Sequence, residues 1–337
     1  MWSLLAGLAC SGVDDATGDD VDTDDVTDTD TPEDTARTET GATGTTGDTG
    51  GPTTEPFDCA AIPTGPFNVW TYDIQTTEDF DFDATGSVVF SDWVNLVAVD
   101  SYGVFSVISP GIQDTRGIQV LSDGNVVAAY ISEGRIGLTD RATGAGTTLL
   151  AGLSGPNAMD VGTGDVLYVT ETGWFGGNGA RVISYDTVSG ATAEIATGFA
   201  YPNGLALNNE QDVLYVSDNT EGLYRVRKDP VDGWQPKELL FNPPGSEAYD
   251  GLEVDICGNV YLVQFYNGQL HRFDPETLAG ELLVDLNDSN QFLWNAIRWG
   301  SGRGIWRRDV LYVTDRNKVF AVEVGVPGRD QPVDLVP

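Results

Sequence analysis

The chain repeats one pattern of two short strands joined by a turn. The clearest copy is Tyr201–Asp218, YPNGLALNNEQDVLYVSD, in which two apolar runs flank the turn-forming NNEQ segment. Five further copies have the same order of strand, turn and strand: Ser154–Glu171, Ala248–Phe265 and Trp294–Asp315, with weaker ones at Thr115–Tyr130 and Thr77–Asp92.

The length of the repeat is the spacing between the residues that stand just before the first strand of each copy. These residues are Glu78, Arg116, Asn157, Asn203, Asp250 and Asn295, which lie 38, 41, 46, 47 and 45 residues apart. Each unit has room for two more strands, such as Gly222–Lys228 and Trp234–Phe241. A period of about 40 to 47 residues with four short strands is typical of a propeller blade. The sequence therefore predicts an all-β fold, a six-bladed β-propeller with four-stranded antiparallel blades.

The closure of this ring is a separate question, because the last repeat has only three clear strands: Ala296–Trp299, Val310–Thr314 and Lys318–Val324. A ring must pair its ends or leave an exposed strand edge. We expect Phe67–Asp73 (FNVWTYD) to supply the missing outer strand of blade six. The C-terminal PVDLVP segment is the alternative.

Two segments precede the predicted propeller, which we place at residues 57–337. Met1–Cys10 (MWSLLAGLAC) ends in small residues before a cysteine, like the tail of a bacterial lipoprotein signal, and predicts lipidation of Cys10. An ordinary apolar N-terminus is the alternative. Residues 11–56 are rich in Asp, Thr and Gly, and a segment so poor in apolar residues is expected to be a disordered linker. We therefore expect a lipoprotein of the bacterial cell envelope.

The remaining cysteines are Cys59, just ahead of the propeller, and Cys257, in a turn of the fifth repeat. An exported protein would pair them in a disulfide that fixes the incoming chain to a blade. Two buried free thiols are the alternative.

The formal net charge of −35 excludes several kinds of partner. Nucleic acid is not expected, because phosphate binding needs clustered Lys and Arg. Membrane contact is expected only through the lipid anchor, and the propeller is expected to be a monomer that binds a small-molecule substrate.

Propeller geometry brings equivalent positions of the six innermost strands together at one end of the central channel. Four of them, Glu78, Asn157, Asn203 and Asp250, offer side-chain oxygen atoms, and two of these groups are anionic. Such hard ligands suit Ca²⁺, whereas a single histidine and few cysteines cannot build a usual zinc site. We predict one calcium ion in the channel, with a purely structural ion or no ion as the alternatives.

The segments PNGLALNNEQDVLYVSD and YDGLEVDICGNVYLVQFYNGQLHRFDPET resemble the repeats of the gluconolactonase/regucalcin (senescence marker protein) family. More broadly, the chain resembles the calcium-dependent six-bladed hydrolases that include diisopropyl fluorophosphatase and the paraoxonases. The resemblance covers roughly Phe67 to Val324. It departs from the family pattern at Asp79, which stands where glycine is more usual.

The resemblance implies that Glu78, Asn157, Asn203 and Asp250 hold a catalytic calcium ion. The ion would polarise a lactone carbonyl or a phosphoryl oxygen. Asp250 and Asn203 are then the expected catalytic residues, and Asp250 would act either as a general base or as a nucleophile.

Four further residues are candidates for binding the substrate. Arg116 and Asn295 occupy the two remaining ring positions, although either could be a structural residue of the channel. Trp174 and Tyr201 belong to loops that are rich in aromatic residues and are expected at the rim of the same face.

Other catalytic schemes find little support in the sequence. There is no G-x-S-x-G motif, and the single histidine, His271, lies in a third-strand run away from the inner ring. Three functions stay open: a calcium-dependent hydrolase of lactones or related esters, a non-catalytic binding propeller with a structural calcium, and a lyase or synthase that uses the same fold.

Overall fold

The protein is a six-bladed β-propeller, as the sequence predicts. The computed structural model describes residues 57–176, 179–242, 248–286 and 293–335. Their strands form six antiparallel sheets arranged in a ring. Cys10 and residues 11–56 lie outside the described residues, so the predictions of a lipoprotein signal and of a linker stay predictions.

The strands follow blade order along the chain. β1 (Val69–Tyr72) comes first. Blade one contains β2 (Phe80–Phe82), β3 (Val88–Ser91), β4 (Asn95–Val99) and β5 (Phe105–Pro110). Blade two contains β6 (Thr115–Val120), β7 (Val126–Tyr130), β8 (Arg135–Thr139) and β9 (Gly146–Ala151). Blade three contains β10 (Pro156–Gly162), β11 (Val166–Glu171), the short helix α1 (Gly173–Gly176), β12 (Arg181–Asp186) and β13 (Thr192–Thr197).

The second half of the ring repeats this order. Blade four contains β14 (Pro202–Leu207), β15 (Val213–Asp218), β16 (Gly222–Asp229), β17 (Gly233–Trp234) and β18 (Glu238–Phe241). Blade five contains β19 (Tyr249–Val254), β20 (Val260–Gln264), β21 (Gln269–Phe273) and β22 (Gly280–Asp285). Blade six contains β23 (Ile297–Trp299), β24 (Leu311–Thr314) and β25 (Val319–Val322), and a 3-10 helix follows at Pro332–Leu335.

The ring is closed by its N-terminal strand. β1 pairs antiparallel with β25 over four residues, from Val69 opposite Val322 to Tyr72 opposite Val319. It therefore supplies the outer strand of blade six, as expected for Phe67–Asp73. The first four residues of the C-terminal PVDLVP segment, Pro332–Leu335, form the 3-10 helix instead.

The hydrophobic core is divided among the interfaces between neighbouring blades. Six clusters of buried residues each join two adjacent blades, for example Phe82 of blade one with Tyr312 of blade six. Because each middle strand has a neighbouring blade on both faces, its side chains are buried on both faces. This explains why β7, β15 and β20 are buried throughout and read as continuous apolar runs.

The predicted disulfide between Cys59 and Cys257 is present and joins chain positions 198 residues apart. Cys257 lies in the turn between β19 and β20, on the face that carries the turns from first to second strands. We call this the lower face. The C-terminal segment crosses it, since Ile256 donates a backbone hydrogen bond to Pro327 and Asp255 bridges to Gly328. Within the described ranges, no helix has both the length and the apolar character needed to cross a bilayer.

Candidate metal centre and active site

The six ring residues lie at the start of the innermost strands, on the opposite or mouth face. Glu78 and Asn295 precede β2 and β23, as predicted. The prediction that all six precede their strands is wrong for the other four residues, which lie within the strands: Arg116 in β6, Asn157 in β10, Asn203 in β14 and Asp250 in β19.

These four strands share an irregularity that explains the difference. Pairing with the second strand shifts between Thr115 and Ile118 in blade two, and at the equivalent position of blades three, four and five. Such a β-bulge inserts an unpaired residue and re-aims its side chain. In these blades the strand begins two residues earlier than the apolar pattern suggests, and the bulge turns the polar side chain into the channel.

Glycine follows the ring residue in blades two, four and five, where the inner strand lies close to the next blade. A Cβ atom on Gly204 would lie 2.2 Å from the backbone oxygen of Asp250, and one on Gly251 would lie 2.3 Å from that of Asn295. The inner strands approach too closely here for a larger residue. The glycine of the NG and DG pairs thus lets neighbouring ring residues converge on the channel axis.

One small cavity of about 30 Å³ lies where the ring residues meet. All four predicted metal ligands line it, together with Arg116 and Asn295. The four predicted ligands are also buried: Glu78, Asn157, Asn203 and Asp250. A space of this size holds a cation or a water molecule but not an organic substrate.

The two asparagines supply a second indication of what the cavity binds. Asn157 and Asn203 are only 4% and 3% exposed. Among the described residues, no protein group forms a hydrogen bond with either side-chain amide, whereas buried amides nearly always have partners. Two amides without protein partners at one cavity indicate a site for a polar or charged ligand.

The carboxylates of the cavity are already engaged by arginine and asparagine. Arg116 Nη1 lies 2.7 Å from Glu78 Oε2, and Arg316 Nη2 lies 3.3 Å from the same oxygen. Asn295 Nδ2 donates to Asp250 Oδ2 at 3.3 Å, while Asn295 Oδ1 accepts from Arg316 Nε at 2.9 Å. Arg316 belongs to the turn after β24. Sequence reasoning missed it because that turn falls outside the aligned pattern of the repeats.

Burial governs the protonation of the two carboxyl groups. It raises the pKa of Glu78, and the guanidinium groups of Arg116 and Arg316 oppose that rise. The pKa of Asp250 is raised well above its usual value by burial and then by the negative charge of Glu78. A nearby cation would reverse this effect, because it favours the charged form of both groups.

The predicted rim residues have different relations to the cavity. Tyr201 lies within electrostatic range, since Asp250 and Glu78 add to the effect of burial in raising its pKa to about 12. Trp174 is 48% exposed and does not line the cavity. Phe199, Tyr249 and Trp294 are buried and pack against aromatic rings of the blades, so these rim aromatics stabilise the ring.

The donor set fits a hard cation with oxygen ligands. Across the described residues, no three His, Cys, Asp or Glu side chains cluster to form a metal site. The cavity instead combines two carboxylates with two amides, and Ca²⁺ accepts both kinds of oxygen. Glu78, Asn157, Asn203 and Asp250 are therefore the residues that could hold calcium, and this role stays a prediction.

Comparison with known proteins identifies the family. A sequence profile of the SMP-30/gluconolactonase/LRE-like region matches residues 62–285. The chain belongs to this family. A search of curated protein sequences found no significant match.

Solved structures related to this SMP-30/gluconolactonase/LRE-like protein share its fold at low identity. A gluconolactonase from Xanthomonas campestris is 17% identical, with a TM-score of 0.63 over 80% of this chain and 93% of that chain. Regucalcin, a calcium-binding protein from Agrobacterium tumefaciens, is 16% identical, with a TM-score of 0.63 over 77% and 95%. A luciferin-regenerating enzyme is 16% identical, with a TM-score of 0.59 over 79% and 98%.

Proposed function

We propose that this SMP-30/gluconolactonase/LRE-like protein is a calcium-dependent hydrolase of lactones or related esters. The observation that carries the proposal is the convergence of two buried carboxylates and two amides, the amides without protein partners, on one small cavity. The similarity to a gluconolactonase and to a calcium-binding protein supports the choice of substrate and ion.

In the proposed hydrolysis of an ester, the residues of the cavity have different roles. Calcium held by Glu78, Asn157, Asn203 and Asp250 would supply a Lewis acid for a carbonyl oxygen. Asp250 is the acid–base group or nucleophile, because Asn295 donates to its Oδ2 atom and leaves the other oxygen for the reaction. Asn203 contributes a second polar group to the reacting centre.

The test is a screen of lactones and phosphotriesters with calcium and with a chelator. We expect turnover that is lost on chelation, and a loss of about 10²-fold or more in Asp250→Asn. Asp123→Asn is the matched control, because Asp123 forms a turn on the lower face between β6 and β7. Turnover that survives chelation would exclude the calcium-dependent mechanism.

A non-catalytic binding propeller is the second candidate. It is favoured by the ion pairs of Glu78 with Arg116 and Arg316, which balance the charge of that carboxylate without any metal. In that case calcium or another ligand would bind and stabilise the protein while no substrate of the screen was hydrolysed.

We further propose that the protein acts as a monomer anchored to the bacterial cell envelope through a lipid on Cys10. The apolar Met1–Cys10 segment supports this proposal. Membrane fractionation of cells that produce the wild type or Cys10→Ser tests the anchor, and sedimentation tests the monomer. Equal membrane association of both proteins would refute lipidation at Cys10.

A further inference from the structure

Arg316 occupies an unusual backbone conformation at the mouth of the channel. Its φ angle is +73°, in the left-handed region that residues other than Gly, Asn and Asp rarely adopt. The surrounding structure holds it there, because Asp315 caps the turn and Thr76 of the neighbouring blade donates to the Arg316 carbonyl at 3.0 Å. Such strained positions are concentrated at functional sites.

The side chain of Arg316 forms a pair with that of Arg116. The two guanidinium groups come from blades six and two, on either side of Glu78, and contact the same oxygen atom of its carboxylate. Their side chains are 21% and 19% exposed, whereas that of Glu78 is 10% exposed. We call this pair the arginine clamp (Arg116 and Arg316).

The clamp retains hydrogen-bonding capacity. A guanidinium group has five N–H donors. The contacts made by Arg316 use Nε and Nη2, and those of Arg116 use Nη1 and Nη2 toward Glu78 and Asp114. In the described chain, no residue accepts from Nη1 of Arg316 or Nε of Arg116. Spare donors in a planar fork favour a carboxylate or phosphate group.

An exposed aromatic ring stands beside the clamp. Trp93 occupies the equivalent turn of blade one, also with a left-handed φ of +76°, and is 51% exposed. Asp92 caps that turn as Asp315 caps the turn of Arg316. The Arg316 Cζ atom lies 6.0 Å from the centre of the Trp93 ring. The indole therefore offers a flat apolar surface next to the Arg316 guanidinium group of the clamp.

We propose that the arginine clamp binds an anionic group of the substrate, while Trp93 packs on its ring. The substrate would then be a lactone or ester that carries a carboxylate or a comparable anionic oxygen group. This inference rests on the proposed hydrolase function and names its substrate class. The net charge of the chain, −35, does not predict a preference for an anionic substrate, because that preference comes from the local pair of arginines.

The test compares two matched lactones in the presence of calcium. One is the lactone of gluconic acid, and the other is the corresponding lactone of glucaric acid, in which a carboxylate replaces the terminal hydroxymethyl group. We expect the wild type to prefer the charged lactone, and Arg316→Gln to lower that preference about tenfold or more. The inference would be overturned if the wild type did not prefer the charged lactone. It would also be overturned if Arg316→Gln preferred the charged lactone as strongly as the wild type does.

Two further variants control for charge and for folding. Arg307→Gln is the charge-matched control, because Arg307 pairs with Asp309 and Glu323 away from the mouth and should leave the preference unchanged. Arg316→Lys keeps the charge but not the planar fork, and should give an intermediate preference. It also serves as the second variant if Arg316→Gln fails to fold by circular dichroism.

Direct binding separates this inference from the hydrolase proposal. Calorimetric titration of the calcium-loaded protein with glucarate does not require turnover. If the screen of lactones and phosphotriesters finds no turnover but glucarate binds about tenfold more weakly to Arg316→Gln, the hydrolase proposal is refuted while anion binding by the clamp is supported. Equal glucarate binding by both proteins, or none by the wild type, would refute the clamp even if lactones are hydrolysed.

Discussion

The channel contains two sets of buried polar residues, and they differ in how their charges are balanced. The lower set comprises four carboxylates and two arginines, of which Asp79 and Arg298 also line the cavity of the upper set: Asp79, Asp81, Asp160, Glu253, Arg298 and Arg329. Arg298 contacts Asp79 at 2.8 Å and Glu253 at 3.1 Å, and Arg329 contacts both oxygens of Asp160 at 2.7 Å. Backbone N–H groups of neighbouring strands also donate to the lower carboxylates, as from Val120 to Asp81, whereas Nε of Arg298 and Nε of Arg329 have no partner among the described residues.

The upper set, at the mouth, differs in its two side-chain amides. The side-chain amides of Asn157 and Asn203 have no hydrogen-bonding partner among the described protein groups, and Glu78 and Asp250 share one small cavity with them. Buried polar groups are normally satisfied within the protein. The comparison favours a structural role for the lower set, whose charged groups pair mainly with one another, and makes the mouth, where the unpartnered amides line a cavity, the candidate ligand site.

Removing Arg329 should have the largest effect on stability. Arg329→Met leaves Asp160 as a buried charge without its partner, and we expect the free energy of unfolding to fall by about 3–5 kcal/mol. Urea unfolding measures it. Arg307→Met, at an exposed ion pair, should cost no more than about 1 kcal/mol. Equal losses in the two variants would contradict a structural role for the lower set.

Calcium should act on the upper set alone. At about 100 times its dissociation constant, calcium should raise the free energy of unfolding by about 2.7 kcal/mol, because it binds only the folded protein. Asp250→Asn should lose most of this gain, and Asp123→Asn should keep it. Thermal unfolding with calcium and with chelator provides the measurement. A similar gain in the free energy of unfolding for Asp250→Asn would show that the ion binds outside the cavity.

A larger side chain between the inner strands should displace the residues of the upper set and weaken calcium binding. Gly251→Ala places a methyl group against the backbone of Asn295, and overpacking of this kind costs about 1–3 kcal/mol. Gly146→Ala at the start of β9 is the control, because its Cβ would meet no atom within 4 Å. Calcium titration should show weaker binding only for Gly251→Ala. Unchanged affinity would show that the spacing of the inner strands does not set the site.

The pH dependence should reveal the surplus carboxylates of the lower set. Burial raises the pKa of Asp81 to about 7 and that of Glu253 to about 8, so the folded protein holds protons that the unfolded chain releases above about pH 4. The metal-free protein should therefore lose stability between pH 6 and pH 9, as these two groups release their protons in the folded state. Urea unfolding in chelator tests this. Glu253→Gln should flatten the slope, and stability that rises with pH would refute the assignment.

Much of the architecture could be predicted from the repeat. The six blades, the N-terminal strand that closes blade six and the pairing of Cys59 with Cys257 all followed from strand patterns and cysteine placement. The exact position of the ring residues in blades two to five did not, because a β-bulge changes the pairing of a strand without changing its apolar pattern.

The polar network of the channel was the least predictable feature. Arg316 and Arg329 lie outside the repeated pattern, in a turn and in the C-terminal segment, and contact residues more than a hundred positions away. Arg298 follows Asn295 in the last repeat, yet its partner Asp79 belongs to the first. No periodicity links such positions, because the contacts arise only when the ring closes.

The sequence by itself determined the number of blades and the polar residue that each one presents at the channel, because strand propensity and repeat length act locally along the chain. Only the tertiary structure decided which of those residues find partners. Ring closure brings blade six against blade one and carries the C-terminal segment across the lower face, so Arg298 and Arg329 pair with three of the four lower carboxylates. At the mouth, the same closure leaves two buried amides facing a cavity the size of an ion.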